Sequence, residues 1–208
     1  MEISEIFYSI QGEGPQVGMP AWFIRTCGCN LTCEYCDSKY AWKNGKEMHI
    51  NDIKKEVCEN GCKNVIITGG EPLLQEDLLP LIKSLGDRKV YVETNGTIFD
   101  SSIIGFAKFI VSPKPQFLNP NYLNVLKKWS LHATFKFVID DKIDFDRAVR
   151  LCGELHKKDD IYFMPQVTKS EDLTKTMKRM VKWIKEDAPF VKITPRLQIQ
   201  LYGNKRGK

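Results

Sequence analysis

Strand-like and helix-like segments alternate along this chain, which predicts an α/β fold built on parallel strands. Three observations carry that expectation. Short apolar runs rich in β-branched and aromatic residues recur about six times, with helix-period segments between them. Polar and glycine-containing motifs fall directly after those runs, at residues 29–36, Gly69-Gly70-Glu71, Thr94-Asn95-Gly96, Ser112-Pro113-Lys114 and Pro165-Gln166. No repeat, low-complexity tract or linker interrupts the pattern, so residues 1–208 read as a single domain. Parallel units of this kind make either an open sheet or an incomplete barrel, and in both the functional site lies at the carboxyl ends of the strands. The five motifs are therefore expected to converge on one rim.

Glu5-Ile6-Phe7-Tyr8 is a short apolar opening, and a loop rich in Gly and Pro follows over residues 11–20. Residues 21–26 form an apolar run that predicts a buried strand, with the cysteine segment as the loop after it. Asn51 is the expected cap of a helix carrying Ile53, Val57 and Cys58, stopped near Gly61. Residues 65–68 predict a strand that ends in Gly69-Gly70. Leu78, Leu79, Ile82 and Leu85 carry helical spacing, and residues 89–93 and 109–111 predict the next two strands. A helix is expected over 120–129 and a strand over 134–139. Asp144 is the expected cap of a helix bearing Phe145, Val149 and Leu155. A strand follows at 161–164, and then a helix capped by Ser170 with Leu173, Met177, Val181 and Ile184 on one face. Val191-Lys192-Ile193 opens the last segment.

Composition narrows the class. Hydrophobic residues make up 42% and charged residues 27%, the balance of a globular chain rather than a disordered one. No apolar run approaches the roughly 18 residues of a membrane span, and the N-terminus has no secretory pattern, so a cytoplasmic location is expected. The net charge of +5 is a mild excess that reads as a solvated mixed surface, not a nucleic-acid platform. The lysines at 175, 178, 182 and 185 fit the same solvated face.

The thiols carry the chemistry. Four of the seven cysteines fall within ten positions, and Cys29, Cys33 and Cys36 are spaced four and three apart. That packing fits metal or cluster ligation better than a disulfide framework. Structural zinc usually takes two well-separated Cys-x-x-Cys pairs. Here Cys27 would have to act as a fourth ligand, or Cys58 and Cys62 as a second pair. An iron–sulfur cluster held by three thiolates suits the spacing better, and it leaves one iron open. Cys27 is expected not to be a ligand. Cys58, Cys62, Cys152 and the histidines at 49, 132 and 156 are assigned no role.

A Cys-x-x-x-Cys-x-x-Cys motif after a first strand, with Gly-Gly-Glu after a second, resembles the radical S-adenosylmethionine (SAM) enzymes. Among these, the chain resembles the 7-carboxy-7-deazaguanine synthases from Ser9 to its end. The resemblance rests on Gln11-Gly12-Glu13-Gly14, Arg25-Thr26-Cys27-Gly28-Cys29-Asn30-Leu31, Cys36-Asp37-Ser38, Glu93-Thr94-Asn95-Gly96, Ser112-Pro113-Lys114 and Tyr202-Gly203-Asn204. It implies an incomplete parallel (β/α) barrel with an N-terminal substrate loop and a C-terminal tail. It also implies a lyase that converts 6-carboxy-5,6,7,8-tetrahydropterin to 7-carboxy-7-deazaguanine with loss of ammonia, toward queuosine or archaeosine.

Residue by residue, the resemblance implies that Cys29, Cys33 and Cys36 hold a 4Fe–4S cluster. Glu34, Tyr35, Asp37, Gly69, Gly70, Glu71, Ser112, Lys114 and Gln166 would serve S-adenosylmethionine, with Glu71 accepting from its ammonium group. Ile10, Gln11, Gly12, Glu13, Arg25, Thr68, Gln198 and Lys208 would serve the substrate, with Arg25 on its carboxylate. Ser38 would bind Mg2+. Gln198 stands where the family often has histidine, and Val167 follows Gln166 where proline is frequent. The implied partners are the pterin, an electron donor such as flavodoxin or ferredoxin, and a second copy in a homodimer, with no membrane or nucleic acid. Two other classes share part of the signal: another small radical SAM enzyme such as a glycyl-radical activase, and a zinc-stabilised nucleic-acid-binding module.

Overall fold

A few strands that bury both faces organise each part of the chain. The computed structural model describes residues 1–203 and 205–208; Asn204, the last residue of the tail motif, lies outside them. The chain divides into two compact units, each drawn from two main stretches of sequence. The first takes residues 1–9, 20–109 and Gly207, and the second takes 10–19, 110–206 and Lys208.

In the first unit, β1 (Glu2–Ile10) pairs antiparallel with β3 (Lys46–Glu47). β2 (Pro20–Thr26) runs parallel to β4 (Asn64–Gly69), and β4 runs parallel to β5 (Lys89–Thr94). Ile24, Val65, Ile66 and Ile67 are each 0% exposed. A continuous apolar run is what a parallel strand covered on both faces requires. Each such side chain contributes about 1.5–3 kcal/mol on burial. The helices α1 (Ile50–Glu56) and α2 (Leu78–Ser84) pack together and turn Ile53, Leu81 and Ile82 into the core. β6 (Lys108–Val111) spans the division between the units.

In the second unit, β7 (Ala133–Ile139) runs parallel to β8 (Ile161–Pro165), and β8 to the short β9 (Lys192–Ile193). Around them lie α3 (Pro120–Trp129), α4 (Lys142–Glu154), α5 (Ser170–Asp187) and α6 (Leu197–Tyr202). The Phe163 ring meets Phe137 and Phe145 edge-on, with centroids 5.4 and 5.5 Å apart. Such pairs add about 0.5–1.5 kcal/mol beyond their buried area. Asn119 caps α3 by accepting from the Tyr122 N–H at 3.0 Å, and Pro120 fills the first position, where no N–H is needed.

The six expected strands are β2, β4, β5, β6, β7 and β8, and β1, β3 and β9 add to them. Three helix starts differ from expectation. α1 begins at Ile50 with His49 at its cap, so Asn51 lies inside the helix. α4 is capped by Asp141, whose carboxylate accepts the Asp144 N–H at 2.9 Å; Asp144 is instead a first-turn acid. Ser170 is the first residue of α5, and the extended cap position belongs to Lys169. Among the described residues, no helix is long and apolar enough to cross a membrane.

Candidate active site

In the first unit, the loops after β2, β4 and β5 are bonded to one another. β2 ends at Thr26, opposite Gly69 at the end of β4. The Gly70 N–H donates to the Thr26 carbonyl at 3.2 Å, and the Glu71 N–H to the Gly28 carbonyl at 2.8 Å. A Cβ on Gly70 would fall 1.8 Å from the Gly28 oxygen, so only glycine permits this approach. Gly70→Ala is expected to force the two loops apart and to lower stability by about 2 kcal/mol or more, read as a shift in the denaturant midpoint.

Glu71 is 0% exposed. Its Oε1 accepts from the Thr94 hydroxyl at 2.7 Å and the Leu73 N–H at 3.0 Å, and its Oε2 accepts from the Asn95 N–H at 2.7 Å. A carboxylate so enclosed ties loops together. Asn95 continues the connection: its Nδ2 donates to Asn30 Oδ1 at 2.9 Å, inside the cysteine loop. Asn30 in turn donates to the Thr97 hydroxyl at 2.8 Å.

The thiols divide by environment. Cys33 is buried, Cys29 and Cys36 are half-buried, and none of the seven cysteines is in a disulfide. The Leu31 N–H reaches the Cys29 sulfur at 3.5 Å. Cys27 is only 3% exposed, with its N–H on the Glu2 carbonyl at 2.9 Å and its carbonyl accepting from Gln75 Nε2 at 2.9 Å. Its sulfur packs where a Cβ on Gly45 would come within 2.9 Å. The Cys62 thiol lies 3.5 Å from the carbonyl of Pro20, the first residue of β2, whereas the cysteine triad follows the last. A seven-residue strand is about 20 Å long, so Cys62 cannot complete a zinc site with that triad. Cys152 is buried in α4, which pushes its thiol up to about 12.

Arg25 is already engaged. Its Nε donates to Glu5 Oε1 at 2.8 Å, which also accepts the Tyr40 hydroxyl at 2.8 Å. The guanidinium lies over the Phe7 and Tyr40 rings, with its carbon 6.0 and 5.8 Å from their centroids. Burial opposes its charge, but Tyr40, Glu5 and Asp37 outweigh burial and raise its pKa further. Arg25 Nη1 reaches the Ser38 hydroxyl at 3.4 Å, and Ser38 donates to Asp37 Oδ1 at 3.0 Å. Thr68 stands opposite Arg25 and donates to Glu93 Oε2 at 3.2 Å. Glu34, Tyr35 and Asp37 are exposed on the same loop. Sequence reasoning missed Glu5 and Tyr40; a lone carboxylate in the apolar opening was the available signal for Glu5.

The second unit gathers a separate polar group around Glu13. Its Oε2 accepts from Lys136 Nζ at 2.8 Å, and its Oε1 from Arg196 Nε at 3.0 Å and Gln198 Nε2 at 2.6 Å. Burial works against the Glu13 charge, but Lys136 and Arg196 overcome it and hold the carboxyl well below its ordinary 4.5. The sign follows: this group's stabilisation is complete above pH 4.5 and is lost as the pH falls from there toward the folded value. Gln11, 5% exposed, accepts the Glu13 N–H at 3.2 Å, and the Gly12 carbonyl accepts the Leu197 N–H at 2.9 Å. Lys136 and Arg196 were missed. A lysine between Phe135 and Phe137 in an otherwise apolar strand was the signal for the first.

Elsewhere in this unit, Lys114 Nζ donates to the Ser112 hydroxyl at 2.7 Å and to its carbonyl at 2.9 Å. Gln166 follows β8, with its N–H on the Ile139 carbonyl at 2.8 Å. Ile10 closes β1, and Lys208 is exposed.

Comparison with known proteins assigns this arrangement. The radical SAM superfamily signature matches residues 23–179. The 7-carboxy-7-deazaguanine synthase of Thermoplasma acidophilum is 40% identical over 156 residues, covering 72% of this chain and 75% of that protein. The enzyme of the same name from Pyrobaculum aerophilum is 32% identical, covering 100% of this chain and 97% of that protein. The crystal structure of QueE from Escherichia coli superposes with a TM-score of 0.71 at 23% identity, covering 94% of this chain and 93% of that one. That likeness bears on the fold, the incomplete parallel (β/α) barrel of radical SAM type. The superfamily brings a 4Fe–4S cluster and S-adenosylmethionine as cofactors. Three soft thiols on one loop, beside the closely fitted Gly28–Gly70 backbone, suit that pair. The chain belongs to the radical SAM superfamily and, within it, to the 7-carboxy-7-deazaguanine synthases.

Proposed function

We propose that this chain converts 6-carboxy-5,6,7,8-tetrahydropterin to 7-carboxy-7-deazaguanine with release of ammonia, a step of 7-deazapurine biosynthesis. The observation that carries the reading is the bonding of the Gly69-Gly70-Glu71 and Thr94-Asn95-Gly96 loops to the loop that bears Cys29, Cys33 and Cys36. When bound, the cluster and S-adenosylmethionine supply one-electron radical chemistry at a carbon–hydrogen bond. The protein's own residues bind and orient.

Cys29, Cys33 and Cys36 would hold the cluster. The Gly69-Gly70 backbone, Glu34, Tyr35, Asp37, Ser112, Lys114 and Gln166 serve the cofactor. Arg25 takes the substrate carboxylate, and Ile10, Gln11, Gly12, Glu13, Thr68 and Gln198 serve the ring. The Ser38 hydroxyl beside Asp37 is a hard oxygen donor of the kind Mg2+ accepts while keeping its waters. Glu5 makes that assignment workable, because it neutralises the Arg25 charge close to Ser38. A flavodoxin or ferredoxin as one-electron donor, a homodimer and a cytoplasmic location complete the reading.

The deciding experiment incubates anaerobically reconstituted, reduced enzyme with S-adenosylmethionine and the carboxy-tetrahydropterin. Carboxydeazaguanine is the expected product. Cofactor cleavage without it would reject the synthase reading and spare the superfamily. Arg25→Lys is expected to raise KM for the pterin roughly 10- to 100-fold, the loss of about 1.5–3 kcal/mol of charge-assisted bonding. An unchanged KM removes Arg25 from the substrate.

A further inference from the structure

Two buried cations in the second unit have no part in the assignments above. Lys136 and Arg196 are each 4% exposed. Taking a charge out of water is costly unless a partner compensates it, and both rest on the same carboxylate, Glu13. Arg196 is held further by its Nη1, which donates to the Val167 carbonyl at 2.7 Å. The result is a fixed Glu13 with both oxygens directed by the two cations.

Gln198 is set by that carboxylate in turn. Its amide nitrogen donates to Glu13 Oε1 at 2.6 Å, and the opposite amide orientation would press oxygen against oxygen. Its amide oxygen is therefore aimed away from Glu13. Among the described residues, that oxygen is buried and has no hydrogen-bond partner. It occupies the space that a Cβ on Gly12 would need, 1.8 Å away, inside the Gln11-Gly12-Glu13-Gly14 motif. A buried acceptor without a donor marks a place for an incoming N–H.

We propose that Lys136 and Arg196 are positioning residues of the substrate site: by fixing Glu13 they aim the Gln198 amide oxygen at a ring N–H of the pterin. This rests on the synthase reading for the identity of the substrate. A 2-amino-4-oxo pyrimidine edge presents adjacent N–H donors, one of which an amide oxygen is suited to accept. Around Glu13, the charged groups are Lys136 from β7 and Arg196 from the segment before α6. β8 packs against the Gly14–Gln16 turn and brings only Tyr162 as a titratable group, with Lys192 over its ring. The depressed Glu13 pKa agrees with this arrangement: the group stays a carboxylate across the working range.

The test measures pterin binding by calorimetry on the reconstituted holoenzyme with S-adenosylmethionine and no reductant, so that no turnover intervenes. Wild-type Kd is expected to be flat between about pH 6 and 8. Lys136→Met is expected to weaken binding about tenfold and to make it pH-dependent, tightening as the pH rises, because burial, the largest influence on Glu13, then pushes its titration upward against the single remaining cation. Lys136→Arg should restore both the affinity and the flat profile, which a merely structural role would not require. Unchanged Kd and unchanged pH dependence in both Lys136→Met and Arg196→Met, with iron content retained, overturn the proposal. Should those variants fail to fold, the wild type still decides: an acid limb within that range that disappears in Glu13→Gln overturns it. A wild type that does not bind the pterin at all removes the synthase reading and this proposal together. Binding indifferent to the two cations removes this proposal alone.

Discussion

Replacing Cys33 by alanine is expected to abolish the cluster: iron falls from about four per chain to near zero, and the brown absorbance near 400 nm is lost. Three thiolates would hold the cluster, and removing one leaves two to anchor it. The nearest additional thiol cannot substitute. Cys27 is tied by its own backbone to Glu2 and Gln75, and its sulfur is packed against Gly45. Cys62 lies beside Pro20, at the amino end of β2. Cys27→Ala should accordingly keep full iron content and cost only about 1 kcal/mol of packing. Iron analysis and visible absorbance after anaerobic reconstitution read both variants. Cluster loss in Cys27→Ala would make it the ligand and undo the spacing argument.

Glu71→Ala is expected to lower stability by about 4 kcal/mol, at the exceptional end for a single substitution. The mechanism is specific. The carboxylate accepts from the Thr94 hydroxyl and from the N–H groups of Leu73 and Asn95, all away from water. Truncation leaves three donors without an acceptor, each costing about 1–3 kcal/mol. Glu71→Gln is the sharper probe. It keeps the shape but turns an amide NH2 toward donors, so it should rescue little. Urea unfolding with an unchanged m-value measures both, and a shift below about 1 kcal/mol would mean that the buried carboxylate is not what joins these loops.

What the sequence made legible follows from range. The strands β2, β4, β7 and β8 were readable because their apolar, β-branched runs are local. The cysteine triad was readable because its spacing is local too. Glu5, Lys136 and Arg196 were not, since their partners lie 20, 123 and 183 residues away. Asp144 was mistaken for a cap because Asp141 stands one helical turn before it, and only the backbone angle separates the two acids. Glu71 shows the reverse case. Its motif was recognised, but burial, which decides whether a carboxylate meets ligand or backbone, is a property of the folded core.

The connection from Asn30 through Asn95 to Glu71 has a consequence for how the first unit breathes. The cysteine loop cannot open without releasing the Asn95 amide, and Asn95 cannot move without disturbing the carboxylate beneath it. These loops should therefore exchange their amide hydrogens together, as one cooperative segment, rather than fraying singly. Loading the cluster would then slow exchange at Asn95 and Glu71, residues that do not touch iron. Their protection reports the state of the metal centre from outside its ligand set.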